Sequence, residues 1–237
     1  IIKKSEKKIS RHIEDVVLIL DTVNALTIDI SLNKKLDGNI EISKVYSSLI
    51  LELNQITNSF YNNYYLAHIL LDKCIIDNNI YEELPKTNEI INNIKADFKL
   101  ICIPKNLINI LKNNFSKINI NVKNFFCSSY VKSSNYLRTL SKDSASFLEI
   151  GFNRTSFMFY QKNKLKIIQT IPVGGAHITK DISKIFNITM DEAEKIKKMF
   201  NKSETEFSYN SSNNSHLSLN EILNKNISID LLKKVIL

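Results

Sequence analysis

Residues 171–200 read IPVGGAHITKDISKIFNITMDEAEKIKKMF. The chain has four glycines in 237 residues, and two of them, Gly174 and Gly175, stand together here between a strand-like run and a helix-like run. Glycine lets the backbone turn sharply and lets a ligand come close. A helix that starts directly after the pair offers N–H groups with no intrahelical partner and the positive end of its dipole, both suited to phosphate. The same Gly-Gly pair also serves as a plain turn. A second helix follows. Thr189 with Glu192 three residues on fits a capping box and puts the helix start at Thr189. Ala193, Ile196 and Phe200 then form a buried stripe, while Glu194 and Lys197 share another face. Taken alone, Glu194 and Lys197 are an i,i+3 ion pair worth about 0.2–0.5 kcal/mol.

Other residues invite chemistry less. His177 sits at the start of the first helix, where a capping or packed role is expected rather than a ligand or base. Phe147, Phe152, Phe157, Phe159 and Tyr160 are expected in the core and on strand surfaces, not as a stacking platform. Cys74, Cys102 and Cys127 are far apart and share no metal spacing, so they read as buried thiols in a reducing compartment. Spacing supports no Ser-His-Asp set, paired-carboxylate site or metal cluster, so no residue is assigned as catalytic or metal-binding.

The elements that must position the glycines come next. ASFLEIGF (145–152), TSFMFYQ (155–161) and KLKIIQTI (164–171) read as three strands joined by tight turns at Asn153-Arg154 and Lys162-Asn163, an antiparallel meander. Upstream, DFKLICIP (97–104) is a strand stopped at Pro104, KNLINILKNNFSK (105–117) a helix with Leu107, Ile110 and Leu111 on one side, INVKNFFC (120–127) a strand and SSYVKSSNYLRTL (128–140) a helix. That rhythm suggests a sheet covered by helices. Nearer the start, DVVLILD (15–21) and ALTIDIS (25–31) read as a hairpin across TVN, and LDGNIEI (36–42) holds an Asp-Gly turn. A helix over 43–60 has Val45, Leu49, Leu53 and Ile56 at helical spacing and Ser43 as N-cap. Residues 64–76 read as a strand, 77–96 as irregular chain crossing a boundary, 201–218 as a polar loop, and 227–237 as the start of a helix.

Bulk properties narrow the class. Hydrophobic residues make up 43% and charged residues 24%, ordinary for a globular chain. No apolar run approaches the roughly 18–20 residues that span a bilayer, and IIKKSEKKIS at the start has no signal-peptide core. The absence of an initiator Met suggests a piece of a longer protein or a processed one. The net charge of +8 is spread along a chain rich in Ile, Asn and Lys, with no zinc-finger or RNP pattern, so no nucleic-acid partner is expected.

The ordered set FLEIGFNRTSFMFY, KLKIIQTIPVGG, HITKDI and DEAEKIKKMF resembles the second half of the actin-like ATPase core, and within it the FtsA family of bacterial cell division proteins. IPVGGAHITKDI and EAEKIKKMF carry the likeness almost position by position. The resemblance implies an α/β fold, an actin-like (ribonuclease H-type) ATPase core with an FtsA-type insert subdomain. Its parts would be the insert at 1–95, the remainder of the first actin-like domain at 96–144 and the start of the second at 145–237. It implies ATP with Mg, held by Glu149, Gly151, Thr155, Gly174, Gly175, Glu194 and Lys197. The glycine turns would lie near the phosphates, and Glu194 and Lys197 near the ribose and adenine. Partners would be FtsZ and other division proteins and further copies of the chain in filaments. The place would be the cytoplasmic face of the inner membrane at the division site, reached by a C-terminal helix outside this sequence. One turn departs from the family pattern. Asp-x-Gly-Gly-Gly-Thr-Thr becomes EIGFNRTS, so that Glu149 replaces the Asp, Phe152 and Asn153 replace glycines, and Arg154 is added, either to offer charge to a phosphate or, as expected here, as a solvated turn residue. Two versions stay open, weak ATP binding or a degenerate pocket on a scaffold. A pilus-assembly (PilM-like) actin homologue is the alternative within the superfamily.

Overall fold

A computed structural model describes residues 2–85, 90–140, 142–207 and 229–236. The chain divides into two compact units. The first comprises residues 1–148 and 156–170, and the second comprises 149–155 and 171–237.

The first unit opens with α1 (Ile2–Ile9) and holds two sheets and most of a third. In the smaller sheet, β1 (Asp15–Leu20) lies parallel to β6 (Asn121–Cys127). The expected hairpin between residues 15–21 and 25–31 does not form. β2 (Leu26–Glu41) instead joins a four-stranded sheet in the order β2-β5-β3-β4, with β3 (Tyr64–Ile76), β4 (Asn79–Tyr81) and β5 (Ile90–Pro104). A three-residue link cannot tell a hairpin from a crossing between sheets, and burial decides it. Val16, Leu18 and Leu20 of β1 pack with Val122 and Phe125 of β6 on Ile108 and Leu111 of α3 (Lys105–Ser116). Nor does the Asp37-Gly38 dipeptide close a hairpin. It lies within β2, where the pairing with β5 shifts register between Lys35 and Ile40.

β5 is central, antiparallel to β2 on one side and β3 on the other. It alternates buried and exposed residues, with Ile91, Ile94, Ala96, Phe98 and Leu100 facing α2 (Ile42–Phe60). From α2 come Val45, Leu49 and Leu53, buried as expected, with Ile56 partly buried beside them. The helix begins at Ile42, with Glu41 rather than Ser43 at the N-cap position, two residues earlier than that cap predicts. The segment 77–96 is irregular only in part, because residues 79–81 and 90–96 are strand; residues 86–89 lie outside the described residues. Asp77 and Asn78 take φ of 45° and 72°, the left-handed pair a two-residue hairpin needs, and β4 folds back on β3. In α3 the buried side is Ile108, flanked by Leu107, Leu111 and Phe115, whereas Ile110 points to solvent.

After α4 (Ser128–Leu137) the expected meander appears as a three-stranded sheet in the order β7 (Ala145–Ile150), β8 (Thr155–Gln161), β9 (Lys164–Ile171). Met158, Tyr160 and Leu165 bury against Ile101, Cys127 and Leu137, and the Tyr160 hydroxyl lies 2.8 Å from Ser133 Oγ. Phe147 meets the Tyr160 ring edge-on at 5.7 Å, while Phe152 and Phe157 are exposed. All three cysteines are buried.

The second unit carries the turn 149–155 and the helices α5 (Gly175–Phe186), α6 (Met190–Phe207) and α7 (Ile229–Ile236). Ile182, Ala193, Ile196 and Leu232 form its core. α5 ends where Asn187 takes the left-handed conformation, φ 49° and ψ 52°, and its N–H closes on the Ser183 carbonyl. α6 runs on through residues 201–207, expected as loop; residues 208–218, the rest of that segment, lie outside the described residues, as do 219–228. So does the side chain of Phe200, the third member of the expected stripe.

Candidate functional site

The seven candidate residues all lie in the second unit, and the structure draws them together. Gly151 begins the turn that joins β7 to β8, closed by a hydrogen bond from its N–H to the Arg154 carbonyl at 2.8 Å. β9 then returns the chain to Gly174, whose extended backbone (φ −160°) leads into α5. Here the first turn of α5 docks on the glycine turn. The Gly175 N–H donates to the Gly151 carbonyl at 2.9 Å and the Ala176 N–H to the Phe152 carbonyl at 2.7 Å. The His177 N–H donates to the Gly174 carbonyl at 2.9 Å. His177 Nδ1 accepts from the Gly174 N–H at 3.2 Å, so this side chain caps the helix.

The two glycines have different reasons to be glycine. A Cβ on Gly174 would stand 2.4 Å from the Gly151 carbonyl oxygen and 2.7 Å from both the Phe152 oxygen and the Arg154 nitrogen. A Cβ on Gly175 would meet nothing nearer than Lys197 Nζ at 3.5 Å. Gly174 is therefore required by backbone packing against the turn.

α6 brings the charges. Thr189 caps it as its spacing predicts. Its N–H donates to Glu192 Oε2 at 2.8 Å, and its Oγ1 accepts from the Glu192 N–H at 3.3 Å. One turn on, Lys197 Nζ lies 2.7 Å from Glu194 Oε2. The ammonium also donates to the Gly175 carbonyl at 2.9 Å and to Thr179 Oγ1 at 2.7 Å. Thr179, buried one turn into α5, donates its hydroxyl hydrogen bond to Glu194 Oε2 at 2.6 Å. Hydrogen bonds from Lys197 and then from Thr179 hold the Glu194 carboxyl down to about 2. Lys198 adds an ion pair to the other oxygen, Oε1, at 3.3 Å. Glu194 and Lys197 are thus more than a surface i,i+3 pair, because they tie α6 to the start of α5. Thr179 escaped the sequence reading. Its signal is its place one helical turn after Gly175, on the same face.

Arg154 is the main correction. It was expected in solvent, yet the residue is 5% exposed, and its Nη2 lies 3.5 Å from Glu149 Oε2. Burial pushes the guanidinium pKa down. A buried cation needs an anion beside it, and Glu149 supplies one. Thr155 Oγ1 donates to the Val173 carbonyl at 2.7 Å, so its hydroxyl serves the strand ends. Phe152 remains exposed, with Lys197 Nζ 5.7 Å from its ring centroid.

No group of three or more potential metal ligands occurs among the described residues. A cavity of about 650 Å³ in the first unit, lined by residues such as Asp72, Lys99, Tyr130 and Lys164, includes none of the seven candidates. The arrangement fastens a turn to two helices.

Known proteins resemble this chain in sequence and fold. The family model for Cell division protein FtsA matches residues 147–228, the stretch that begins with the glycine turn and takes in α5 and α6. Two Cell division protein FtsA sequences from strains of Staphylococcus epidermidis are 27% and 26% identical over 204 residues, 84% of this chain and 43% of theirs. The chain therefore spans under half the length of those relatives. Among solved structures, a chain of a PilM-PilN type IV pilus biogenesis complex superposes with a TM-score of 0.55 at 13% identity, over 82% of this chain and 53% of that one. This likeness bears on the fold alone. The fold is actin-like, and by sequence the chain is similar to FtsA proteins over residues 147–228 and more weakly over 84% of its length.

Proposed function

We propose that this chain is part of an actin-like division adaptor that links FtsZ filaments to the inner membrane and brings later division proteins to the septum. The observation that carries the reading is that the residues of the FtsA-like wording, Gly151, Gly174, Gly175, Glu194 and Lys197, converge on one junction in the second unit. Self-association into filaments belongs to the same reading, with residues 1–95 as the insert that meets the next copy, 96–144 completing the first actin-like domain and 145–237 beginning the second. A C-terminal amphipathic helix outside this sequence would supply the membrane contact on the cytoplasmic face. The likeness to the PilM-PilN complex chain supports a second reading, a scaffold for a pilus machine. The match over 147–228 weighs toward the division adaptor.

Actin-like folds in general bind nucleotide, and the resemblance implies ATP with Mg. The residues fit this group unevenly. Glu194 and Lys197 keep the charged pair expected near ribose and adenine. At the phosphate end the fit fails, because the Glu149 carboxylate faces a buried guanidinium and the first-turn N–H groups of α5 are bonded to carbonyls. The adaptor role is therefore assigned to protein–protein and membrane contacts, with no step routed through nucleotide.

Vesicle flotation tests the proposal. FtsZ from the same organism should float with lipid vesicles when the full-length protein is present and stay in the dense fraction when it is omitted. FtsZ that never floats, while the full-length protein itself does, would reject the division adaptor and favour the pilus scaffold.

A further inference from the structure

A polyphosphate bound beside this turn would need hydrogen-bond donors and a cation, and a divalent metal would need a carboxylate free to order its water shell. Several of these groups are already engaged inside the chain. The three N–H groups at the start of α5, from Gly175, Ala176 and His177, donate to the carbonyls of Gly151, Phe152 and Gly174. All three protons of the Lys197 ammonium have partners, namely Glu194, the Gly175 carbonyl and Thr179. The Thr155 hydroxyl is given to the Val173 carbonyl. The Glu149 carboxylate lies 3.5 Å from the Arg154 guanidinium, whose side chain is 6% exposed. A second cation placed on Glu149 would sit against that buried positive charge, in surroundings that screen it poorly.

We infer that Arg154 and Glu149 form an internal clamp across the glycine turn without any ligand, while the Gly175 and Ala176 N–H groups fasten that turn to α5, and that this junction does not take a Mg-polyphosphate. The inference rests on the FtsA-like reading, since only that reading expects a phosphate here. The clamp supplies within the chain the pairing of positive and negative charge that a metal–phosphate pair would otherwise bring. Gly174 belongs to the same device, because only a residue without Cβ lets the turn carbonyls reach the helix N–H groups. The consequence is a second unit whose turn and helices keep one arrangement whether or not nucleotide is present.

Thermal melting of the full-length protein tests this, with buffer, millimolar Mg-ATP or millimolar Mg-ADP. A ligand present at about 100 times its dissociation constant raises Tm by several degrees. The clamp predicts no rise with either nucleotide. A saturable rise with Mg-ATP or Mg-ADP overturns it. Two variants address the clamp itself. Glu149→Gln leaves the buried guanidinium without that charge and should lower Tm by several degrees, again with no response to Mg-ATP. Arg154→Lys keeps the charge but loses the planar fork, and should fall between Glu149→Gln and wild type. Melting of both variants at the wild-type temperature overturns the clamp even if nucleotide does not bind. Loss of folding by Glu149→Gln leaves Arg154→Lys to decide. Failure of the adaptor reading shows instead in vesicle flotation, which does not depend on these melts.

Discussion

A methyl group added to Gly174 meets three backbone atoms at 2.4–2.7 Å, and one added to Gly175 meets only the end of a lysine side chain at 3.5 Å and a carbonyl at 3.8 Å. Gly174→Ala should therefore lower stability by about 1–3 kcal/mol, as overpacking does. Gly175→Ala should be neutral or stabilise by up to about 1 kcal/mol through lost unfolded-state freedom. Urea denaturation of both variants checks the difference; equal effects would contradict the packing account. Glu194 gives a second prediction at this scale. Its carboxyl is held at about 2 against an ordinary 4.5, so the ionised form is favoured by folding. Its contribution is complete above the unfolded value, declines as pH falls toward about 2 and is gone below that. The stability gap between wild type and Glu194→Gln, followed by denaturation from about pH 6 to about pH 2, should shrink toward the acid end. A gap constant with pH would show that the pairing adds nothing. The glycine pair and the Glu194–Lys197 pair were legible in the sequence because their spacing alone sets them on helix ends and faces. The burial of Arg154 was not, since a polar turn residue reads as solvated until the chain that covers it is known.

The helices and strands show where local signals suffice. α6 starts where Thr189 and Glu192 say it should, through reciprocal bonds at 2.8 and 3.3 Å. Thr189→Ala should cost about 1 kcal/mol and Thr189→Ser much less; denaturation curves with no difference between the two would show that the cap contributes little. The meander was legible from its alternation and short turns, and Lys162 and Asn163, with φ of 50° and 59°, make the tight connection the sequence suggested. Pairing was less legible. Residues 15–20 and 26–31 have the composition of hairpin strands, but the apolar side of β1 belongs with β6 and α3, which come some hundred residues later. The Asn-rich stretch after Ile76 looked irregular because Asn and Asp are read as loop formers; at Asp77-Asn78 that same tolerance of positive φ builds the hairpin. Asp37-Gly38 carries the stronger turn signal and closes no hairpin, because the pairing of β2 with β5 runs on through a register shift.

At the scale of the molecule, the resemblance placed an actin-like core on the page before any coordinates, and the fold bears that out. Partners and nucleotide dependence were less legible in residue patterns, because they depend on surfaces assembled from residues distant in sequence. The account joins two statements: a division adaptor, and a turn clamped by its own charges. Co-sedimentation of the full-length protein with polymerised FtsZ from the same organism, with and without Mg-ATP, tests them most directly. The account predicts co-pelleting to the same extent in both conditions. Absence of co-pelleting in both would contradict the adaptor, and co-pelleting that appears only with Mg-ATP would contradict the clamp.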